Sequence, residues 1–214
     1  MSEREGDLGI EVVGARAEAY AAVPTLVLRL AVTEPSGDPV HTIALRAQIQ
    51  IEPQRRRYSK EEEARLLELF GEQPQWGDSL RPFLWTHVTA MLTGFTGSTE
   101  VDLPVPCSYD FEVAAAKYLH SLGDGEIPIA LLFSGTVFAR RGGVVSVQPV
   151  PWNVEAGYRL PVKVWRDVMD LYFPNSGWIR LRRESIDALT RYKAERALPS
   201  WEDTVALLLK EAGA

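Results

Sequence analysis

Residues 42–51 constrain the fold more than any other stretch. Ile43, Leu45, Ala47, Ile49 and Ile51 alternate with Thr42, Ala44, Arg46, Gln48 and Gln50. A period of two sends the first set to one side of a β-strand and the second set to the other. A helix would scatter the same five apolar side chains around its circumference. The segment therefore reads as a strand with one dry and one wet face, the pattern of an antiparallel sheet. Residues 25–33, Thr-Leu-Val-Leu-Arg-Leu-Ala-Val-Thr, predict a second strand, and Glu34-Pro-Ser-Gly-Asp-Pro39 supplies turn chemistry between the two. The two strands are expected to pair as a hairpin. Residues 10–20 alternate more weakly and predict a further strand.

Ser59 is placed to cap a helix. Glu61, Glu62 and Glu63 complement its positive end, Ala64, Leu67 and Phe70 lie near one face with Leu66 beside them, and Gly71 ends it. Residues 84–95 and 99–107 are expected to form a hairpin around Gly94-Phe-Thr-Gly-Ser98. Val101, Leu103 and Val105 share a face of its second strand, while Pro104 and Pro106 suit a sheet edge. Periodicity does not decide between strand and helix for residues 111–121. Residues 127–139 and 143–150 predict a hairpin turning at Arg140-Arg-Gly-Gly143.

Beyond Pro151 the pattern turns helical. Pro161 can open a helix over 162–171, and Pro174-Asn-Ser-Gly177 breaks it. A short strand, Trp178–Arg182, is expected next, then helices over 184–197 and 200–212, the second capped by Ser200 with Asp203 three residues on. The fold class read from this order is α+β. An antiparallel β-sandwich-like or rolled-sheet body spans 1–150, and a helical C-terminal part spans 151–214, packed with it as one unit.

Composition excludes several classes. A single cysteine rules out a disulfide framework and any multi-cysteine metal site within the chain. No apolar run approaches the roughly 18 uncharged residues of a membrane span, and Met1–Asp7 is acidic rather than apolar, so a cytoplasmic protein is expected. The 29 acidic residues outnumber the 23 basic ones, which argues against nucleic-acid binding by the surface as a whole.

Motifs for chemistry are sparse. His41, His87 and His120 form no histidine pair at a metal-ligand spacing, so no metal and no cofactor is expected. His87 reads as a strand residue with a structural role, and His120 as a surface residue. A pocket inside the β body would draw on His87, Asp102, Cys107 and Asp110, although Cys107 has no base beside it in sequence. Arg55, Arg56 and Arg57 could meet an acidic partner or a phosphate, or answer Glu61–Glu63 nearby. Trp76, in the polar loop Gln73-Pro-Gln-Trp-Gly-Asp78, would anchor a protein partner if exposed. The predicted strand–helix–helix at 178–212 resembles a ribbon-helix-helix module. That resemblance would make Arg180 and Arg182 base-reading residues.

A wider resemblance rests on Arg81-Pro-Phe-Leu-Trp-Thr-His-Val88, Gly94-Phe-Thr-Gly-Ser-Thr-Glu-Val-Asp-Leu-Pro-Val-Pro-Cys107, Gly125-Glu-Ile-Pro128, Leu132-Phe-Ser-Gly-Thr-Val-Phe138, Pro151-Trp152 and Tyr172-Phe-Pro-Asn-Ser-Gly-Trp178. Together these stretches look like an uncharacterised actinobacterial family, a domain of unknown function often encoded near nickel–iron uptake hydrogenase genes. The resemblance covers nearly the whole chain. It implies an accessory or assembly role and carries no catalytic residues over.

The expected function is a non-enzymatic accessory protein that binds another protein, a hydrogenase component among the candidates. The alternatives are a DNA-binding regulator using Arg180 and Arg182, and a small-ligand binder or enzyme with a pocket in the β body. Self-association stays open.

Overall fold

The computed structural model describes residues 8–107, 113–141, 144–174 and 180–213. The chain divides into two compact units, Met1–Gly177 and Trp178–Ala214.

The first unit is built on two antiparallel sheets. One holds β1 (Gly9–Ala17), β2 (Thr25–Thr33) and β5 (Ser98–Pro106) in the order β1-β2-β5. The other runs β4 (Phe83–Phe95), β3 (Val40–Ile51), β6 (Glu126–Arg141) and β7 (Val144–Pro149), with β8 (Glu155–Pro161) also paired to β6. The fold is thus α+β with an antiparallel sandwich, as the alternation predicted. Leu26, Leu28, Leu30 and Val32 of β2 and Ile43, Leu45, Ala47, Ile49 and Ile51 of β3 are buried in one core. The sheets approach each other at their margins, β4 near β5 and β1 near β8.

Two expected hairpins do not exist. β2 pairs with β1 and β5, not with β3, and β4 pairs with β3, not with β5. Both connections instead cross from one sheet to the other, and the Glu34 amide donates to the Gly97 carbonyl at 2.7 Å to tie the two crossings together. Turn residues reverse a chain without choosing which strand edge it meets. Pairing β2 with β3 would put their apolar faces side by side in one layer. The crossing sets them face to face, which removes both from water. The third expected hairpin is present: β6 and β7 pair from Thr136↔Pro149 to Arg141↔Val144, its Gly142-Gly143 turn lying outside the described residues.

Helices close one end of the sandwich. α1 (Lys60–Phe70) has the expected ends: Ser59 accepts from the Glu62 amide, Glu62 returns the bond to the Ser59 amide, and Gly71 stops the helix at φ 72°. Its inner face differs from the expected one. Glu62, Leu66 and Phe70, spaced by four, are buried, and Leu67 is exposed. The reason is electrostatic, because Glu62 is drawn inward to Arg56. A one-turn helix α2 (Trp76–Ser79) follows. Residues 114–121, undecided in the sequence, form α3 (Ala114–Ser121), which packs on α1. Tyr118 of α3 meets Phe83 at 5.7 Å and Phe70 at 6.1 Å between ring centres, plugging the core where β3 ends and β4 begins. β8, missed in the sequence because its burial alternates over only seven residues, leads through Pro161 into α4 (Val162–Tyr172). Trp165 of α4 packs edge-on against His120 at 4.6 Å. His120 is therefore half-buried rather than a surface residue: α3 turns it toward α4.

The second unit is a helical hairpin, α5 (Arg183–Glu195) and α6 (Trp201–Ala212), with Ser200 capping α6 by accepting from the Asp203 amide at 3.0 Å. Tyr192 donates to Glu211 at 2.9 Å, and Arg196 pairs with the same carboxylate. The strand expected over 178–182 is not formed at Arg180–Arg182, which precede α5 without regular structure, and residues 178–179 lie outside the described set. A strand needs a neighbour for its backbone groups, and none of the described strands pairs with these residues.

Gly135 lies where a side chain would collide with the neighbouring strand. It sits opposite Leu45 at φ 142°, and a Cβ there would lie 2.0 Å from the Ala44 carbonyl oxygen. Gly135→Ala is expected to lower unfolding free energy by about 3 kcal/mol, from backbone strain plus the clash, read by urea denaturation.

Candidate functional site

Arg55, Arg56 and Arg57 are adjacent in sequence and do three different things. They follow β3 on a short 3₁₀ turn, Pro53–Arg55. Arg55 is exposed and pairs with Glu52 at 2.9 Å. Arg57 is exposed and makes no ion pair with a described residue. Arg56 is turned inward. Its side chain is 8% exposed and that of its partner Glu62 6%, with 2.6 Å between Nη2 and Oε1. The same guanidinium donates to the carbonyls of Asp124 and Glu126, both at 2.5 Å. Glu62 also accepts from the Gly123 amide at 2.7 Å and the Ser59 amide at 3.0 Å. Burial alone would raise the Glu62 carboxyl pKa. The Ser59 and Gly123 amides and the Arg56 charge outweigh it and hold the group below the usual carboxylate range.

This pair forms the floor of an open cleft of about 650 Å³ rimmed by Arg55, Arg57, Asp124, Glu126 and Arg159. Arg159 sits 3.7 Å from Glu126, and the rim carries both signs, three arginines against two carboxylates. Trp76 does not stand free beside it. The indole is half-buried, edge-on to Tyr58 at 5.3 Å, and donates from Nε1 to the Gly71 carbonyl at 3.0 Å. Tyr58 donates to the Pro53 carbonyl and accepts from Tyr118, both at 2.8 Å. The Arg-Arg-Arg-Tyr segment is thus chiefly a joint between β3, α1 and the loop before β6.

The three described pocket candidates do not converge. His87 points outward from the five-stranded sheet, opposite Gln48. Asp102 points outward from the three-stranded sheet on the far side of the sandwich, bonded to Arg16 at 2.9 Å and Arg29 at 3.1 Å. Cys107 is buried at the end of β5, and burial pushes its thiol up to about 12, so it is no ready thiolate. Asp110 lies outside the described residues. Arg180 and Arg182 are exposed beside α5. Among the described residues, no group of three His, Cys, Asp or Glu side chains stands close enough to hold a metal ion, and no helix is long and apolar enough to cross a membrane.

The two outer faces of the sandwich contrast sharply, a feature the sequence reading passed over. On the three-stranded sheet Arg16, Arg29, Glu100 and Asp102 form a cross-strand ladder of ion pairs. On the five-stranded sheet the outward positions of β4 (Leu84, His87, Thr89, Met91, Thr93) oppose Gln50, Gln48, Arg46, Ala44 and Thr42 of β3. These in turn oppose Ala130, Leu132, Ser134, Thr136 and Phe138 of β6. Arg46 is the one permanently charged side chain among those fifteen positions. Met91 is 66% exposed there, and Leu84 and Leu132 are exposed elsewhere on the same face. Strand register was the missing signal, because the three outward rows become one surface only once β3 is known to lie between β4 and β6.

The profile of the Family of unknown function (DUF6084) matches residues 5–214. The chain belongs to this family. None of the curated proteins compared matches it. Among solved structures it is similar to the CARDB domain of PF1109 from Pyrococcus furiosus, a complex with di-metal ions, at 10% identity over 75% of this chain and 96% of that one, with a TM-score of 0.27. It is also similar to a β-glucosidase from Kluyveromyces marxianus, at 8% identity over 72% of this chain and 15% of that one, TM-score 0.25. The sporulation control protein Spo0M from Bacillus subtilis aligns at 12% identity over 73% of this chain and 49% of that one, TM-score 0.21.

Two outcomes are expected from this geometry. Glu62→Gln leaves the Arg56 cation buried without its partner and should cost about 3 kcal/mol of stability, measured by urea denaturation. Arg56→Met combined with Glu62→Leu should cost clearly less than the two single changes summed. Burial lowers His120 from its ordinary value of 6.5 to about 4. The unfolded chain therefore binds the extra proton between these limits, and stability should fall as pH drops from about 6.5 toward 4. That component should vanish in His120→Gln, followed as Tm against pH.

Proposed function

We propose that the chain is a non-enzymatic protein-binding module acting through the outward face of β4, β3 and β6. One observation carries this: a central patch of fifteen outward positions with a single permanent charge and exposed Met91, Leu84 and Leu132, the charges Glu126, Arg140, Glu155 and Arg159 lying at its margins. Solvated sheet faces are usually studded with charge, as the opposite face is, whereas the cores of protein interfaces are depleted of it. The neutral Thr, Gln and Ser side chains can satisfy hydrogen bonds across an interface without the desolvation cost of an ion. Support for a non-enzymatic role comes from His87 and Asp102 facing opposite sides of the sandwich and from the raised Cys107 thiol pKa.

A cytoplasmic accessory role follows from the same reading, and a nickel–iron hydrogenase component is the partner that the resemblance in sequence implies. The test is site-specific photocrosslinking in the native host. A photoreactive residue at Met91 should give one discrete protein adduct, and the same residue at Glu100, on the charged face, should not. Mass spectrometry of the adduct identifies the partner. Absence of an adduct at Met91, or equal adducts at both sites, overturns the proposal.

A further inference from the structure

β7 is the last strand on its side of the five-stranded sheet, and no described strand pairs with its outer edge. Its backbone parity can be worked out from one bond. The Val150 amide donates to the Gly135 carbonyl at 2.9 Å, continuing the β6–β7 register. In an antiparallel ladder hydrogen-bonded pairs recur at every second residue. Residues 144, 146 and 148 therefore spend their backbone groups on β6. Val145 and Val147 direct theirs away from the sheet, and Pro149 at the next such position has no N–H to offer. Val144 is 70% exposed, Val145 58% and Val147 61%. No residue of Val-Val-Ser-Val-Gln-Pro carries charge. Sheet edges are normally guarded by lysines, bulges or cover, and among the described residues of β7 only its terminal proline does so.

We infer that β7 is a self-pairing edge through which two copies of this chain join, antiparallel, about a two-fold axis at Ser146. That register sets Val145 opposite Val147 of the second copy, and Val147 opposite its Val145. The N–H and C=O groups of Val145 and Val147 on each strand are then all used, giving four interchain hydrogen bonds. Both facing pairs are valine–valine pairs on one side of the sheet, a favoured cross-strand combination. A uniformly uncharged strand meets its own copy without repulsion, whereas a heterologous partner would have no charge to read. The symmetry makes the contact isologous and closed, so it stops at two copies. The sheet then runs unbroken from β4-β3-β6-β7 of one protomer into the same strands of its partner. Edge and face adjoin, since Val147 opposes Phe138 and Val145 opposes Arg140 on the outward side, but the edge bonds through backbone groups that the face does not use. A six-residue strand pair lies at the small end of interface sizes, so the dimer should dissociate at roughly 10–100 μM.

Sedimentation velocity of the full chain across that range should show a concentration-dependent dimer. Val147→Pro deletes an outward N–H without touching the β6 ladder and should weaken the dimer at least tenfold. Val145→Lys with Val147→Lys, which sets like charges opposite each other, should do the same while circular dichroism stays native. Ser146→Cys places two thiols on the axis at the close Cα spacing of a non-hydrogen-bonded pair, within disulfide range. Mild oxidation with diamide should link it as a dimer on non-reducing gels, and Val144→Cys, facing Gln148 of the second copy, should not link. A chain that stays monomeric throughout, a dimer indifferent to Val147→Pro, or equal crosslinking at 144 and 146 would overturn the inference.

Discussion

The buried pair of Arg56 and Glu62 is the contact on which the end of the sandwich depends. Two ions held this far from water are costly unless their polar atoms are answered, and of the Arg56 and Glu62 side-chain atoms the buried Arg56 Nε lacks a hydrogen bond. Here Glu62 collects a guanidinium and two backbone amides, and Arg56 collects two carbonyls besides the carboxylate. Those bonds bring together the turn after β3, the first turn of α1 and the loop before β6. Once Glu62 is drawn inward, Leu66 and Phe70 follow it at helical spacing, and Phe70 meets Tyr118 and Phe83. The aromatic plug, the inner face of α1 and the seat of α3 all descend from one ion pair. The pair also keeps the cleft above it only weakly positive, since Arg56 spends its charge on Glu62.

The remaining exterior divides by charge. The three-stranded sheet carries a ladder of exposed ion pairs, each adding little to stability but keeping that face wet. The outward patch of β4, β3 and β6 carries one permanent charge, with Glu126, Arg140, Glu155 and Arg159 at its margins, and the strand at the free edge, β7, carries none. Two sheets of one sandwich share a core and a history of burial, so the difference resides in their outward residues alone. A face and an edge that both avoid charge mark the side of the molecule on which association costs least desolvation.

Much of the fold was legible from local pattern. The alternation in residues 42–51 specified a strand with a wet face. Ser59 and Gly71 marked the ends of α1, Ser200 the start of α6, and residues 127–139 and 143–150 a real hairpin. These features depend on neighbours within a few residues, which the chain order displays directly. The two false hairpins show the limit. Glu34–Pro39 reverses the chain as turn chemistry requires, yet β2 finds β5, some seventy residues on, because only a second layer can cover its leucines. The candidate site was harder still. Three consecutive arginines look equivalent as letters, and Trp76 looks free in its polar loop. Their burial depends on Glu62, Tyr58 and the backbone of residues 123–126, none of which is marked as a partner by spacing.

The amino-acid order by itself therefore determined the kinds of element, their caps and which side of each strand is dry, because those follow from side-chain period and local backbone bonding. Tertiary structure alone decided which strands adjoin, which arginine is buried and that three outward rows of threonine, glutamine and apolar side chains form one charge-poor face. Pairing and burial are settled by competition among distant segments for the same edges and the same core, and that competition leaves no mark at any single position.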